Sequence, residues 1–287
     1  MITILQAIIL GLLQGATELF PISSLGHGVI LPRLFGWNIH QNDNSFLVFL
    51  IATHLATSIV LLVIYRRTWL RITKGLLRSI KEREISPHDK DAKLGWLLVA
   101  GTIPAGIIGI LFQDQIRMIF VTATSAAFFL ILNGLILLIA ERLRKQHAPA
   151  NESSDLSDRL SQITWFQSIK VGIAQSVALI PGLSRSGAAM SGGLLSGLNH
   201  EDSANFAFLL ATPIIFAAAL LKLPELAAPE NHSLILPSII GGASAALSAT
   251  FAIKYLTRYF EKYSLRPFGI YCIVFGAGST ILFLVLR

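Results

Sequence analysis

The sequence predicts an all-α polytopic membrane protein: about six transmembrane helices plus two re-entrant helical hairpins in an inverted-topology repeat. Three observations carry that expectation. Of the 287 residues, 53% are hydrophobic and only 14% charged, with a mean hydropathy of +0.66, which lies outside the balance of soluble globular domains. Several apolar runs approach the roughly 20 residues needed to cross a bilayer. Two unlike polar clusters sit inside apolar sequence: Gln14, Glu18, Ser23, Ser24 and His27 in one, and PGLSRSG at 181–187 in the other. Polar groups at membrane depth are costly and mark function.

The chain opens with two short apolar pieces, 2–16 and 23–37, broken at Pro21. A second such pair, 165–180 and 186–199, is broken at Pro181. Each is short or interrupted for an ordinary span and surrounded by serines and glycines, which suits a hairpin whose irregular tip is buried in protein or lines a wet cavity. Four short, tilted spans are the alternative. The full spans are expected at 46–64, 93–112, 125–142, 204–221, 236–254 and 267–285. Between the first two, residues 66–81 interleave Trp69, Leu70, Ile72, Leu76, Leu77 and Ile80 with basic side chains, the pattern of a helix lying along the interface. Residues 146–163, polar and holding Pro149, read as a linker. No basic region precedes the first apolar run, so a cleavable signal peptide is not expected. Cys272 is single, which excludes an internal disulfide and leaves a buried thiol.

Positive charge sets the orientation. Segments 65–93, 142–159 and 254–266 carry most of the lysines and arginines and belong in the cytoplasm. The alternating loops hold little more than Arg117 and Lys222, and they and both termini belong outside. The net charge of +7 therefore reports topology, and no nucleic-acid partner is expected.

Self-similarity divides this single integral membrane domain, 1–287, into halves at 1–145 and 160–287. Gln14, Pro21 and Ser24 recur in nearly the same spacing as Gln175, Pro181 and Ser184, and FLIAT ending at Thr53 recurs as FLLAT ending at Thr212. Three expected spans separate the copies, so the halves are inverted, an arrangement that places a site at the repeat interface near the midplane. Hairpins entering from opposite sides can bring their tips together.

PGLSRSG surrounds Arg185 with Gly182, Ser184 and Ser186 just before an apolar run. A serine-capped helix start offers backbone N–H groups and a positive dipole end to an anion. Arg185 adds a planar fork for phosphate oxygens. FPISSLGHG repeats the arrangement with Ser23 or Ser24 as cap, and two such helix ends suit a diphosphate. Gln14 and Glu18, four apart, share a helix face and offer oxygens to a hard cation, Mg²⁺ or Ca²⁺. Ser24 and His27, three apart, permit a serine nucleophile with a histidine proton carrier. Those parts suffice for phosphoryl transfer.

Blander readings accompany each element. Ser23, Ser186, Gly182 and Gly187 could serve close helix packing, and Gln14 and Gln175 could satisfy backbone at helix breaks. His54 and Asn133 lie inside spans with no partner evident in sequence and read as interhelical hydrogen-bonding groups. His40, His88, His147, His200 and His232 read as solvated.

QGATELFPISSLGH resembles the first motif of the undecaprenyl-diphosphatase family of the bacitracin-resistance type, and PGLSRSG resembles its second. The resemblance extends along nearly the whole chain. It implies a phosphatase of the bacterial plasma (inner) membrane, active site facing outward, that takes a polyprenyl diphosphate and recycles the lipid carrier of peptidoglycan synthesis. Carried over by position, it implies Glu18, Ser24, His27 and Arg185 as catalytic. Ser23, Gly182, Ser184, Arg185, Ser186 and Gln175 then bind substrate, and Glu18 with Gln14 holds the cation. Gln14 stands where the family also has glutamate and Ala189 where it usually has threonine. Direct attack by water fits the same residues as attack by Ser24. A secondary transporter or lipid flippase with a midplane anion site is the competing reading; an intramembrane serine protease fits the arginine between two serines less well.

Overall fold

The computed structural model describes residues 2–37, 39, 44–112, 122–144, 155–180, 182–226 and 228–285. Among them every regular element is helical, and six helices are long and apolar enough to cross a membrane: Phe46–Ile64, Lys90–Leu111, Ala123–Leu143, His200–Leu226, Asn231–Tyr259 and Arg266–Val285. The protein is a multi-pass, all-α membrane protein.

Helix α1 (Ile4–Leu19) begins at a capping box in which Thr3 and Gln6 satisfy each other's backbone N–H groups. It stops at Phe20, whose backbone turns extended before Pro21. Ser23 then caps α2 (Ser24–Leu34) by accepting from the Gly26 N–H. The later break is built alike. Helix α8 (Trp165–Ser176) runs into a 3₁₀ turn at Val177–Leu179, and Ser184 caps α9 (Arg185–Ser196) through the Gly187 N–H. With 16, 11, 12 and 12 residues, these four helices are about 24, 17, 18 and 18 Å long, all short of a ~30 Å hydrocarbon core.

The spans enclose them: α3 (Asn44–Ile64), α5 (Lys90–Leu111), α6 (Ala123–Leu143), α10 (His200–Leu226), α11 (Ile235–Tyr259) and α12 (Arg266–Val285). Helix α1 packs on α11 and α8 packs on α5, while α6 touches α2, α9 and α12. Missing side chains make the first two contacts possible. A Cβ on Gly15 would run into the Ala245 carbonyl, and one on Gly172 into that of Gly101, the close backbone approach that small residues allow in membranes.

Helix α4 (Arg66–Glu82) turns Ile72, Gly75 and Ser79 inward and leaves Leu70, Leu77 and Ile80 exposed beside its basic residues, as expected of an interfacial helix. The linker expectation holds less well. Its described part contains α7 (Leu156–Leu160), and Arg71 binds Asp155 at 2.6 Å while Lys90 binds Asp158 at 2.8 Å. That described part is anchored because Asp155 faces the basic helix α4 and Asp158 the first residue of α5. His200 is likewise not solvated: its Nε2 lies 2.9 Å from Glu141, a buried carboxylate that also accepts from the Leu265 N–H. A buried charge requires such partners. His88 and His232 are exposed, whereas His40, His147 and Arg117 lie outside the described residues.

Candidate active site

The two helix breaks meet in the interior. Ser186 donates to the Phe20 carbonyl at 2.9 Å, and Asn133 of α6 bridges them, donating to the Pro21 carbonyl at 2.9 Å and accepting from the Ser184 N–H at 3.1 Å. Backbone groups that each break orphans are thus satisfied across the contact, as a buried irregular segment requires. Positive φ angles at Ser23 (67°) and Gly182 (99°) bend the chain into this arrangement. Pro181 itself lies outside the described residues.

Glu18, 8% exposed, is the hub. Its Oε2 accepts from the Ser24 hydroxyl at 2.6 Å and from Gln14 Nε2 at 3.1 Å, with His54 Nε2 at 3.4 Å. Its Oε1 accepts from Arg185 Nη2 at 3.1 Å. The expected shared face of Gln14 and Glu18 is therefore present. The other arm of the guanidinium, Nη1, is buried and has no hydrogen-bond partner among the described residues. Leaving a charged donor buried and unpaired costs at least about 1–3 kcal/mol, a cost that an arriving anionic oxygen would remove.

Above this floor opens a cavity of about 710 Å³. Glu18, Ser23, Ser24, His54, Ser184 and Arg185 form its polar end, together with Gly182. Leu47, Leu50 and Ile51 of α3 and Ile214, Ile215 and Ala218 of α10 form apolar walls, and Lys222 and Glu225 stand near the far end of α10. A charged head group fits the floor and an aliphatic chain the walls.

Four expected site residues do not line the cavity: Gln14, which lies behind it on Glu18, and His27, Gln175 and Ser186. His27 does not pair with Ser24: its Nδ1 meets the Ser23 carbonyl at 2.7 Å and its Nε2 the Tyr271 hydroxyl at 2.8 Å. Its side chain leaves α2 toward α12, while the Ser24 hydroxyl turns back to α1. Gln175 donates to the Gly101 carbonyl at 2.9 Å and secures α8 to α5. Ser186 is spent on the contact between the breaks. Conversely, His54 joins the hub from 40 residues away in sequence, where no local spacing could announce it. Its Nδ1 donates to the Leu50 carbonyl at 2.7 Å, which aims Nε2 at Gln14 and Glu18. Asn133 is the interhelical hydrogen-bonding group that its position suggested.

The profile of the family described as bacitracin resistance protein BacA matches residues 7–278. The chain is 42% identical over 285 residues to undecaprenyl-diphosphatase 2 of Chromobacterium violaceum, covering 98% of this chain and 99% of that one. It is 40% identical over 300 residues to the undecaprenyl-diphosphatase of Mycolicibacterium paratuberculosis, covering 98% and 97%. With the undecaprenyl-diphosphatase of Gluconacetobacter diazotrophicus it shares 42% identity over 284 residues, 96% of each chain.

Proposed function

Since the chain belongs to the bacitracin resistance protein BacA family, we propose that it is a phosphatase of the bacterial plasma membrane. It hydrolyses undecaprenyl diphosphate to undecaprenyl phosphate and inorganic phosphate, recycling the lipid carrier of peptidoglycan synthesis and so conferring bacitracin resistance. The single observation that carries the reading is the unpartnered Arg185 Nη1 beside a serine hydroxyl bonded to a carboxylate, at the floor of an apolar-walled cavity.

In this reading Arg185 and the start of α9, with Gly182 and Ser184, hold the diphosphate. Ser24 already donates its proton to Glu18, so Glu18 is the base on hand. Attack by Ser24 Oγ on the terminal phosphorus breaks the bond to the bridging oxygen, and the lipid monophosphate leaves with the electron pair while Glu18 takes the hydroxyl proton. Water then hydrolyses the phosphoserine. If water attacks directly, Glu18 serves the water and Ser24 binds phosphate. Transport of an anion does not require a hydroxyl held on a carboxylate at 2.6 Å, which favours hydrolysis over the transporter reading.

Glu18 is the one carboxylate at the polar end, and no group of three or more His, Cys, Asp and Glu among the described residues could hold a metal ion. The cation expected of Glu18 and Gln14 would be held by the Glu18 carboxylate and by the Gln14 amide oxygen only once that amide turns over, since it presents Nε2 to Glu18 and His54. Mg²⁺ or Ca²⁺ there would neutralise charge on the phosphates.

We further infer that α1–α2 and α8–α9 are re-entrant hairpins of two inverted halves, 1–145 and 160–287. Their sub-bilayer lengths and the reciprocal bonding of their breaks support this. Because the basic α4 marks the cytoplasmic side, the cavity beside the other ends of α3 and α10 faces outward. Phosphate release by the purified protein from a polyprenyl diphosphate, with and without chelator, tests the activity and the cation separately. In Ser24→Ala, phosphate release and phosphoenzyme trapping are both lost if serine attacks; normal turnover in that variant removes the nucleophile.

A further inference from the structure

His27 belongs to the first polar cluster but has no place at the cavity, and its ring is fully committed elsewhere. A carbonyl only accepts, so the 2.7 Å contact with the Ser23 oxygen puts a proton on Nδ1. In the neutral ring Nε2 is then a bare acceptor, and the Tyr271 hydroxyl, 2.8 Å away, is the donor that meets it. Stacking fixes the ring plane: Tyr271 and Phe275 of α12 lie 5.7 and 5.2 Å from it, nearly parallel at 6° and 2°. A proton carrier in this reaction would need a free nitrogen turned to substrate. His27 has neither the nitrogen nor the exposure, at 2%.

What the ring holds is informative. The Ser23 carbonyl accepts from Nδ1 and, at 3.2 Å, from the backbone N–H of the same histidine. The Ser23 hydroxyl accepts from the Gly26 N–H at 3.1 Å. Ser23 needs such restraint, because φ of 67° in a residue with a side chain is strained and persists only where the surroundings over-determine it. The next residue is Ser24, whose direction depends on that turn.

We propose that His27 and Tyr271 form a positioning pair that locks Ser23 in its positive-φ turn and so sets the Ser24 hydroxyl against Glu18. Neither residue touches substrate or exchanges a proton with it. The proposal rests on the phosphatase reading above, and it assigns a part in the site to α12, which contributes nothing to the cavity lining.

The test uses the full-length protein in detergent with a polyprenyl diphosphate. Tyr271→Phe keeps the stack and removes the hydroxyl; kcat falls roughly two- to tenfold, the worth of a neutral hydrogen bond, with KM and Tm little changed. His27→Asn retains an N–H donor near the Nδ1 position, so it recovers activity relative to His27→Ala and keeps both limbs of the pH–rate profile. His27→Asn as inactive as His27→Ala, with one limb lost, would make His27 a proton carrier and overturn the proposal; so would Tyr271→Phe with the wild-type kcat. Wild-type protein that releases no phosphate refutes the phosphatase reading instead. The pair is then judged by ¹⁵N-histidine NMR, where an Nδ1–H tautomer of His27 whose bare Nε2 resonance shifts in Tyr271→Phe upholds it, and an Nε2–H tautomer or an Nε2 resonance unmoved by that substitution overturns it.

Discussion

Replacing Arg185 by lysine conserves charge and removes the fork, which isolates what the second guanidinium arm contributes. In the structure Nη2 holds Glu18 at 3.1 Å while Nη1 is buried without a partner among the described residues. A lysine ammonium is a single point charge on a flexible stem and cannot hold Glu18 and reach a phosphate oxygen in the same geometry. The expected loss is one charge-assisted hydrogen bond, about 1.5–3 kcal/mol. At about 1.4 kcal/mol per decade, kcat/KM falls roughly ten- to 150-fold. Phosphate release against substrate concentration separates the two cases: a bond made equally in ground and transition states appears in KM, and one that strengthens on reaction appears in kcat. Thermal unfolding in detergent guards against a folding artefact. Arg185→Lys with the wild-type kcat/KM refutes the reasoning, since Nη1 would then meet no phosphate; a matching drop in Tm would make Arg185 a structural counter-ion of Glu18 only.

Gly15→Leu forces a side chain into the Ala245 carbonyl. Overpacking of this kind costs about 1–3 kcal/mol or more, so Tm falls by several degrees and activity falls with it, because α1 carries Glu18. Gly278→Ala, where a Cβ meets nothing within 4 Å, leaves both unchanged, and equal behaviour of the two variants would discredit the packing account. On the basic face, hydrogen bonds from Arg71 hold the Asp155 carboxyl below the usual aspartate range. A depressed folded value means that the pair stabilises the protein above the unfolded pKa of about 4, and that this is lost as pH falls through the lowered folded value. Asp155→Asn keeps the helix cap, so its Tm deficit is present at neutral pH, amounts to about 1 kcal/mol at most for an exposed pair, and disappears in acid. A deficit that persists in acid would assign the effect to something other than the ion pair.

The spans were legible because length and hydropathy alone specify them: the expected 46–64 and 267–285 fall on Phe46–Ile64 and Arg266–Val285. The caps were legible to one of two serines for the same local reason, Ser23 or Ser24 and Ser184 or Ser186, and Ser23 and Ser184 are the ones that cap. Spacing also delivered Gln14 with Glu18, because four residues on a continuous helix fix a shared face. It failed for Ser24 and His27. At the first turn of a helix with a bent entry, residues three apart can leave toward different neighbours, and which neighbour lies where is tertiary information. Tyr271 was unreadable for that reason, and His54, legible like Asn133 as an interhelical hydrogen-bonding group, did not show its partners in sequence, since both residues meet theirs across a large sequence separation. Serines that could bind phosphate or seal a backbone break look identical in sequence, and only Ser186 on the Phe20 carbonyl separates them.

Asn133 has a consequence for how the protein is made. Its amide joins a carbonyl of the first break to an N–H of the second, and it sits on α6, which is translated between them. The first polar cluster therefore emerges from the ribosome with the Pro21 carbonyl unanswered until α6 has inserted, and the cluster stays incomplete until Arg185 arrives some fifty residues later. A chain truncated after α6 carries Ser24 and Glu18 without their cation. The protein thus withholds its reactive centre from the membrane until most of its synthesis is done, so a half-made copy displays a carboxylate and a hydroxyl without an assembled site.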